Sequence, residues 1–161
     1  MPVRIALAAA IGLISVPVIW MFLGPLAAYN LQIWQCFLAW GCFYHCGGKT
    51  DGVKTTIICM VFGACIGALV VVSAPYLAFM GTFAVPAAGA IGAAVIVLAA
   101  YIPFLSAIPA SVYGFASIAS FILLKGAAPI DALLPTVGSI VIGAVVGWTS
   151  ERAGMLLAKA T

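Results

Sequence analysis

Long uncharged apolar runs constrain this chain more than any other feature of its sequence. Residues 5–23 contain no Asp, Glu, Lys or Arg, and residues 87–102 are equally free of charge. An α-helix needs about 20 apolar residues to cross a hydrocarbon layer about 30 Å thick. Polar and apolar residues do not alternate along these runs, as they would in the strands of a membrane β-barrel. The sequence therefore predicts membrane-spanning α-helices.

The overall composition points the same way. Of the 161 residues, 66% are hydrophobic and 6% are charged, whereas about 25% of the residues in a soluble domain are charged. We therefore expect the lipid bilayer to be the main partner of the surface, and nothing in the net charge of +3 indicates nucleic acid. The five cysteines lie mostly in apolar stretches, which is typical of small core residues rather than disulfides.

Glycine and proline divide the apolar runs into six predicted helices. We expect an all-α, polytopic membrane protein with a single domain over residues 1–161. The predicted helices cover residues 5–23, 26–46, 53–76, 83–102, 104–124 and 132–147, with the last continuing towards 157. Six crossings would bring both termini to the same side of the membrane.

The basic residues indicate which side that is. Lys125 falls on the face opposite the termini in this topology. Five basic residues fall on the face of the termini: Arg4, Lys49, Lys54, Arg152 and Lys159. Because Lys and Arg accumulate in cytoplasmic loops, this distribution predicts that both termini are cytoplasmic.

The second half of the chain repeats features of the first half after 80 residues. Asp51 falls on Asp131 with this offset, although Asp and Glu together occur only three times in the chain. The pattern predicts two three-helix repeats, approximately 1–80 and 81–161. With three helices each, they would enter the membrane from opposite sides. Inverted repeats are typical of transporters, with the pathway at the repeat interface; the alternative is a duplication that only enlarges the bundle.

Two GxxxG pairs occur at equivalent places in the two halves. Gly63 and Gly67 lie in the third predicted helix, and Gly143 and Gly147 lie in the sixth. Small residues let helix backbones approach closely within lipid. We therefore predict that these four glycines pack helices against each other, within one subunit or between subunits.

Two polar or aromatic stripes are candidates for lining a pathway. We expect each set to share one face of a helix. The second helix carries Asn30, Trp34, Phe37, Trp40 and Tyr44, with His45 at its end, and the fifth helix carries Ser106, Tyr113, Ser117 and Ser120. Alternatively, the aromatic rings fill the core or face lipid headgroups, and the serines bond back to helix carbonyls.

The segment from 43 to 52 holds the only histidine of the chain. Cys42, His45 and Cys46 share one helical face, and their chemistry suits zinc or copper(I). No second cluster completes a four-ligand set, so we predict no metal and no cofactor. His45 is interpreted as a gate at the pathway mouth or as an ordinary interfacial residue. Asp51 and Asp131 are predicted to cap the helices that follow them.

The chain carries no recognisable catalytic motif. HExxH and GxSxG are absent, and no carboxylate lies inside an apolar run. We therefore do not expect an enzyme. The absence of a carboxylate in the membrane also argues against a strongly charged substrate, which would need a buried counter-ion.

Three stretches resemble the YcdZ-like inner-membrane proteins of bacteria. They are "WQCFLAWGCFYHCGG", "FLSAIPASVYGFASIASF" and "LLPTVGSIVIGAVVGW". The residues that fit the family pattern are Trp34, Phe37, Cys46, Pro109, Gly114, Leu134, Pro135 and Gly143. His45 departs from that pattern. The resemblance implies a compact multi-pass protein of the bacterial inner membrane, and it implies no particular activity.

These patterns together favour a channel or facilitator. We expect it to pass a small neutral or weakly polar solute and to form a homo-oligomer through its small-residue faces. The rival interpretation is an accessory subunit of a larger membrane complex, which would use those faces to bind partner helices.

Overall fold

The computed structural model describes residues 1–159, which form an all-helical structure without strands in that range. The prediction of an all-α fold is confirmed. The six α-helices are α1 (Val3–Leu23), α2 (Ile33–His45), α3 (Lys49–Ser73), α4 (Ala84–Ala99), α5 (Ile108–Lys125) and α6 (Pro129–Lys159). Short 3₁₀ segments occupy Pro25–Tyr29, Ala74–Phe83 and Pro103–Leu105. The predicted second repeat extends to residue 161, so its last two residues lie outside the described residues.

Four helical stretches are long and apolar enough to cross a membrane. They are Val3–Leu23, Lys49–Ala99, Ile108–Lys125 and Pro129–Lys159, and the second of them joins α3 to α4 through the 3₁₀ segment between them. By contrast, α2 has only 13 residues, which span about 20 Å at 1.5 Å per residue. This helix is too short to cross the hydrocarbon layer alone.

The predicted second helix, 26–46, begins later than its hydrophobicity indicated. Its first part is the 3₁₀ turn Pro25–Tyr29, and Asn30 follows in the left-handed region at φ 57°. Asparagine tolerates this conformation better than most residues. Regular α-helix starts only at Ile33, so Asn30 does not share a helical face with the aromatic residues of α2. That part of the prediction was wrong.

The predicted fifth helix differs in the same way. Pro103–Leu105 forms a 3₁₀ turn, and α5 starts at Ile108 with Pro109 in its first turn, where a missing N–H costs nothing. Ser106 therefore precedes α5, and its predicted place on the polar stripe of that helix was wrong.

The irregular segments before α2 and α5 reach into the bundle. The Gln32 N–H donates to Ser139 Oγ at 2.9 Å, and the Cys59 thiol donates to the Phe104 carbonyl at 3.5 Å. Ser139 and Cys59 each lie ten residues beyond the start of their helices, α6 and α3, which is about 15 Å along the axis. Both segments therefore contact a long helix well below its end.

Two tight helix pairs form the centre of the molecule. α3 packs along α5, α2 packs along α6, and α3 also contacts α6. α1 lies against α6, and α4 lies against α3. The helices that carry the two GxxxG pairs, α3 and α6, are therefore the central ones.

The predicted packing glycines lie at these two crossings. A Cβ on Gly63 would collide with the backbone of Ser111, and one on Gly143 would collide with the backbone of Cys36. Gly67 faces Ile118 and the Phe115 backbone, and Gly147 faces the Phe43 ring. Helix axes approach this closely only where one partner lacks a side chain.

Candidate functional site

A buried amide lies where α2, α5 and α6 meet. The Gln35 side chain has no exposed surface. Its Nε2 group donates to the Ser117 carbonyl at 3.0 Å and to Thr136 Oγ1 at 3.0 Å. Gln35 belongs to the first half of the chain and both acceptors to the second. One side chain therefore connects the two halves by hydrogen bonds.

Four buried polar atoms near these interfaces have no hydrogen-bond partner among residues 1–159. They are Gln35 Oε1, Thr56 Oγ1, Ser111 Oγ and Ser117 Oγ. The four side chains are at most 1% exposed and lie on α2, α3 and α5. We name them the polar cluster. Each unpaired buried group costs about 1–3 kcal/mol, so their presence needs an explanation.

Other hydroxyls of the same protein show how this cost is usually avoided. Ser15, Ser139 and Ser150 donate to carbonyls of their own helices at 2.8 Å, as serines in apolar helices commonly do. Ser111 and Ser117 make no such bond. Our alternative interpretation of the serine stripe, back-bonding to the helix, therefore does not describe Ser117.

An open groove of about 320 Å³ separates α2 from α5 close to this cluster. Among the predicted pathway residues, Phe37, His45 and Tyr113 line it; the other lining residues are Leu38, Gly41 and Cys42. The rings of His45 and Tyr113 meet edge to face with centroids 6.1 Å apart.

The groove approaches the polar cluster from both helices. Leu38 is three residues after Gln35 on α2, and Tyr113 is four residues before Ser117 on α5. Residues three and four apart are neighbours on a helix surface. The inner end of the groove is thus about one helical turn from the buried amide.

The remaining aromatic residues of α2 face α6 instead. Trp40 Nε1 donates to Ser150 Oγ at 2.9 Å, and the Tyr44 hydroxyl lies 2.8 Å from the same atom. Trp34 packs half-buried against the main apolar core. The prediction of one shared aromatic face was therefore wrong, because Trp40 and Tyr44 attach α2 to α6 while Phe37 lies in the groove.

Three further predicted pathway residues lie elsewhere. Ser120 is half-buried on α5, whereas Asn30 and Ser106 are exposed outside the α-helices. Of the candidate metal ligands, Cys42 and Cys46 have sulfurs 3.8 Å apart, and all five cysteines are free. Within residues 1–159, no three side chains among His, Cys, Asp and Glu are placed to hold a metal ion.

A carboxylate from α6 satisfies the start of α3. Gly48 is the N-cap residue of α3 and gives no side-chain bond, but Glu151 Oε2 accepts from the Lys49 N–H at 2.8 Å. Asp51 is the third residue of α3, and its carboxylate lies 3.6 Å from Lys54 Nζ in a solvent-exposed pair. The predicted cap at Asp51 was therefore wrong. Asp131 occupies the corresponding third position of α6, and its side chain is exposed.

Sequence reasoning missed Gln35, Thr56, Ser111, Thr136 and Glu151. One signal for Gln35 was available, because an amide stands inside the apolar run between Trp34 and Cys36. A buried amide in such a run must find partners on other helices. The serines and threonines gave no comparable signal, because both residues are common in exposed helix positions.

Long apolar helices around an uncharged polar centre are the features of a helical membrane protein. The chain belongs to DUF1097, a family described as proteins of unknown function, whose model matches residues 8–155. This match covers nearly the whole chain and supports the expectation of an uncharacterised family. No curated protein and no solved structure matches the chain.

Proposed function

We propose that this protein is a channel or uncoupled facilitator for a small neutral or weakly polar solute. The pathway would follow the α2–α5 interface between two inverted three-helix halves. The observation that carries this proposal is the polar cluster, because its four unpaired atoms lie at that interface. A passing solute or water would supply the missing hydrogen bonds.

Support for two related halves comes from the helix starts. α3 and α6 begin 80 residues apart, at 49 and 129, and α2 and α5 begin 75 residues apart, at 33 and 108. These two offsets convert the contact of Gly63 with Ser111 into the contact of Gly143 with Cys36. They also relate the Gly67 contact with Ile118 to the Gly147 contact with Phe43.

The interrupted helices support a transport role. Both α2 and α5 follow a proline-containing irregular segment that contacts a long helix about 15 Å from its end. Short or interrupted apolar segments at corresponding places in two halves are typical of transporter binding sites. Irregular backbone in lipid is stable where it lines a cavity or lies against protein.

The chemistry of the polar cluster favours a neutral solute. Its groups are one amide and three hydroxyls, which can both donate and accept hydrogen bonds. No ionised side chain stands beside them to balance a charge, and a charged solute in lipid would need one. Water, urea, glycerol and ammonia have the size and polarity that such groups recognise.

The described conformation is closed at the polar cluster. Gln35, Thr56 and Ser117 have no exposed surface, whereas the groove beside them is open. Passage of a solute therefore requires α2 and α5 to separate at this level. Motions of packed helices occur on the microsecond to millisecond scale.

We further propose that both termini are cytoplasmic and that the protein resides in the bacterial inner membrane, as the YcdZ-like resemblance implies. Arg4, Lys49, Lys54 and Arg152 support this orientation through the positive-inside rule. We also propose a homo-oligomer, supported by exposed small residues on α2 such as Gly41.

Stopped-flow light scattering of proteoliposomes tests the transport proposal. Vesicles with the purified protein are exposed to gradients of water, urea, glycerol, ammonia and short-chain acids, with protein-free vesicles as the control. We expect faster equilibration for at least one solute. Rates equal to those of protein-free vesicles for every solute would contradict the proposal.

One observation favours a second candidate, a non-transporting subunit of a larger complex. An apolar groove of about 550 Å³ lies between α3, α4 and α5, with Val70, Ala78, Val85 and Phe115 among its lining residues. A partner helix could pack there. A foreign chain that co-purifies in stoichiometric amount in mild detergent, together with no flux, would support this candidate.

A further inference from the structure

A second groove, distant from the polar cluster, lies at the end of the bundle that carries Glu151. It has a volume of about 450 Å³. Three basic side chains line it together with one acidic and two apolar ones: Lys49, Arg152, Lys159, Glu151, Met155 and Leu156. We name it the basic groove.

The single carboxylate of the basic groove is already engaged. Glu151 accepts the Lys49 N–H, and the turn around it is unusual because Gly47, Gly48 and Lys49 all have positive φ. This geometry fixes the carboxylate at the start of α3, where it also complements the positive end of the helix dipole. Glu151 therefore stabilises the turn.

The three basic groups remain available to an anion. Within residues 1–159, the ion pair is that of Lys54 with Asp51, and Lys49, Arg152 and Lys159 have no carboxylate partner. The Arg152 guanidinium lies 4.3 Å from the centre of the Trp148 ring. This cation–π contact orients Arg152 without neutralising its charge.

The position of the basic groove along α6 is that of a lipid headgroup. Asp131 and Glu151 are 20 residues apart on this helix, a distance of about 30 Å, which equals the thickness of the hydrocarbon layer. Met155 and Leu156 are 46% and 69% exposed beside the basic side chains. They provide an apolar surface that an acyl chain can cover.

We propose that the basic groove binds the phosphate of an anionic phospholipid. Lys49, Arg152 and Lys159 contact the phosphodiester, and an acyl chain lies over Met155 and Leu156. Basic pockets beside membrane helices bind such headgroups through combined charge and apolar contacts. This binding is separate from transport and does not depend on the polar cluster.

Native mass spectrometry of the full chain in neutral detergent tests the proposal. The probes are phosphatidylglycerol and, for a neutral headgroup, phosphatidylcholine. We expect retention of phosphatidylglycerol over phosphatidylcholine by wild type, and about a fivefold loss of apparent affinity for each basic residue replaced. The variants are Lys49→Gln, Arg152→Gln, Lys159→Gln and their combination. Lys125→Gln, at the other end of the bundle, is the matched control.

Three outcomes would overturn the proposal. They are equal retention of the two lipids by wild type, equal retention of phosphatidylglycerol by wild type and the triple variant, or an equal loss in Lys125→Gln. Displacement of the bound lipid by millimolar inorganic phosphate would reassign the groove to free anions and also overturn it. If the triple variant fails to fold, the single variants give the same comparison. Failure of the flux assay would leave this result unaffected.

Discussion

The amide of Gln35 combines two opposite energetic effects in one side chain. Its two donated hydrogen bonds stabilise the contact of α2 with α5 and α6, each by about 1 kcal/mol. Its buried Oε1 atom has no partner in the described part of the chain, at a cost of about 1–3 kcal/mol. The amide therefore contributes little net stability, which favours a role in binding.

From this balance we predict that Gln35→Leu changes the free energy of unfolding by less than about 1 kcal/mol. Leucine fills a similar volume and removes both the donor and the unpaired acceptor. The measurement is the unfolding midpoint in a denaturing detergent titration, followed by tryptophan fluorescence. A loss of several kcal/mol would mean that the amide is structural.

Glu151 has a larger structural role than the exposed aspartate on α3. We predict that Glu151→Ala lowers the free energy of unfolding by about 1 kcal/mol, as for loss of an N-cap, because the Lys49 N–H loses its acceptor. Asp51→Ala should have a smaller effect, since its carboxylate reaches only the exposed Lys54. Thermal unfolding of both variants makes the comparison, and equal losses would contradict the assignment of the cap.

At the level of helices, two glycine contacts set how closely the central pairs approach. Gly63 lies against the Ser111 backbone and Gly143 against the Cys36 backbone. Neither neighbour is a flexible side chain that could move aside. An added methyl group therefore forces the helices apart.

We predict that Gly63→Ala and Gly143→Ala each destabilise the protein by about 1–3 kcal/mol, the usual cost of overpacking. Gly12→Ala is the matched control, because no atom of another helix lies within 4 Å of its added Cβ, and alanine favours the helix. Unfolding midpoints of the three variants test this difference. A midpoint for Gly63→Ala as high as that of Gly12→Ala would show that the crossing is looser than described.

The sequence predicted the helical elements better than the starts of two of them. Apolar runs identified every α-helix, because lipid imposes a strong composition on them. The turns at Pro25–Tyr29 and Pro103–Leu105 were missed because their residues are as apolar as a helix. Their different lengths also change the repeat offset from 80 to 75 for α2 and α5, so adding 80 paired the wrong residues.

The site was predictable only in part. Phe37, His45 and Tyr113 were expected beside a pathway and line one groove. Trp40 and Tyr44 were placed with them, but their donors find Ser150 on α6. Which helix face meets which neighbour depends on packing between distant segments, and helical periodicity alone does not specify it.

For the whole molecule, the charge distribution predicts a definite orientation. Lys54 lies near the start of α3 and Lys125 at the end of α5, at opposite ends of the bundle. We predict that Lys125→Cys reacts with a membrane-impermeant maleimide added outside intact spheroplasts. Lys54→Cys should react only after permeabilisation.

Wild type provides the background from its five cysteines in this labelling experiment. Both positions are exposed, so a difference in labelling reports the side of the membrane rather than burial. The reverse pattern would place the basic end outside and contradict the proposed topology.

The most direct test of a solute pathway at the interface of the two halves is a flux comparison between two leucine substitutions. Gln35→Leu alters the polar cluster, whereas Gln32→Leu alters an amide that reaches only the Asn30 carbonyl near the surface. Both variants are reconstituted at the same protein-to-lipid ratio as wild type, and solute-driven swelling is followed by stopped flow. We predict that Gln35→Leu loses at least tenfold of the wild-type flux, about 1.4 kcal/mol in barrier height, while Gln32→Leu retains it. Wild-type flux in Gln35→Leu would contradict a pathway through the polar cluster.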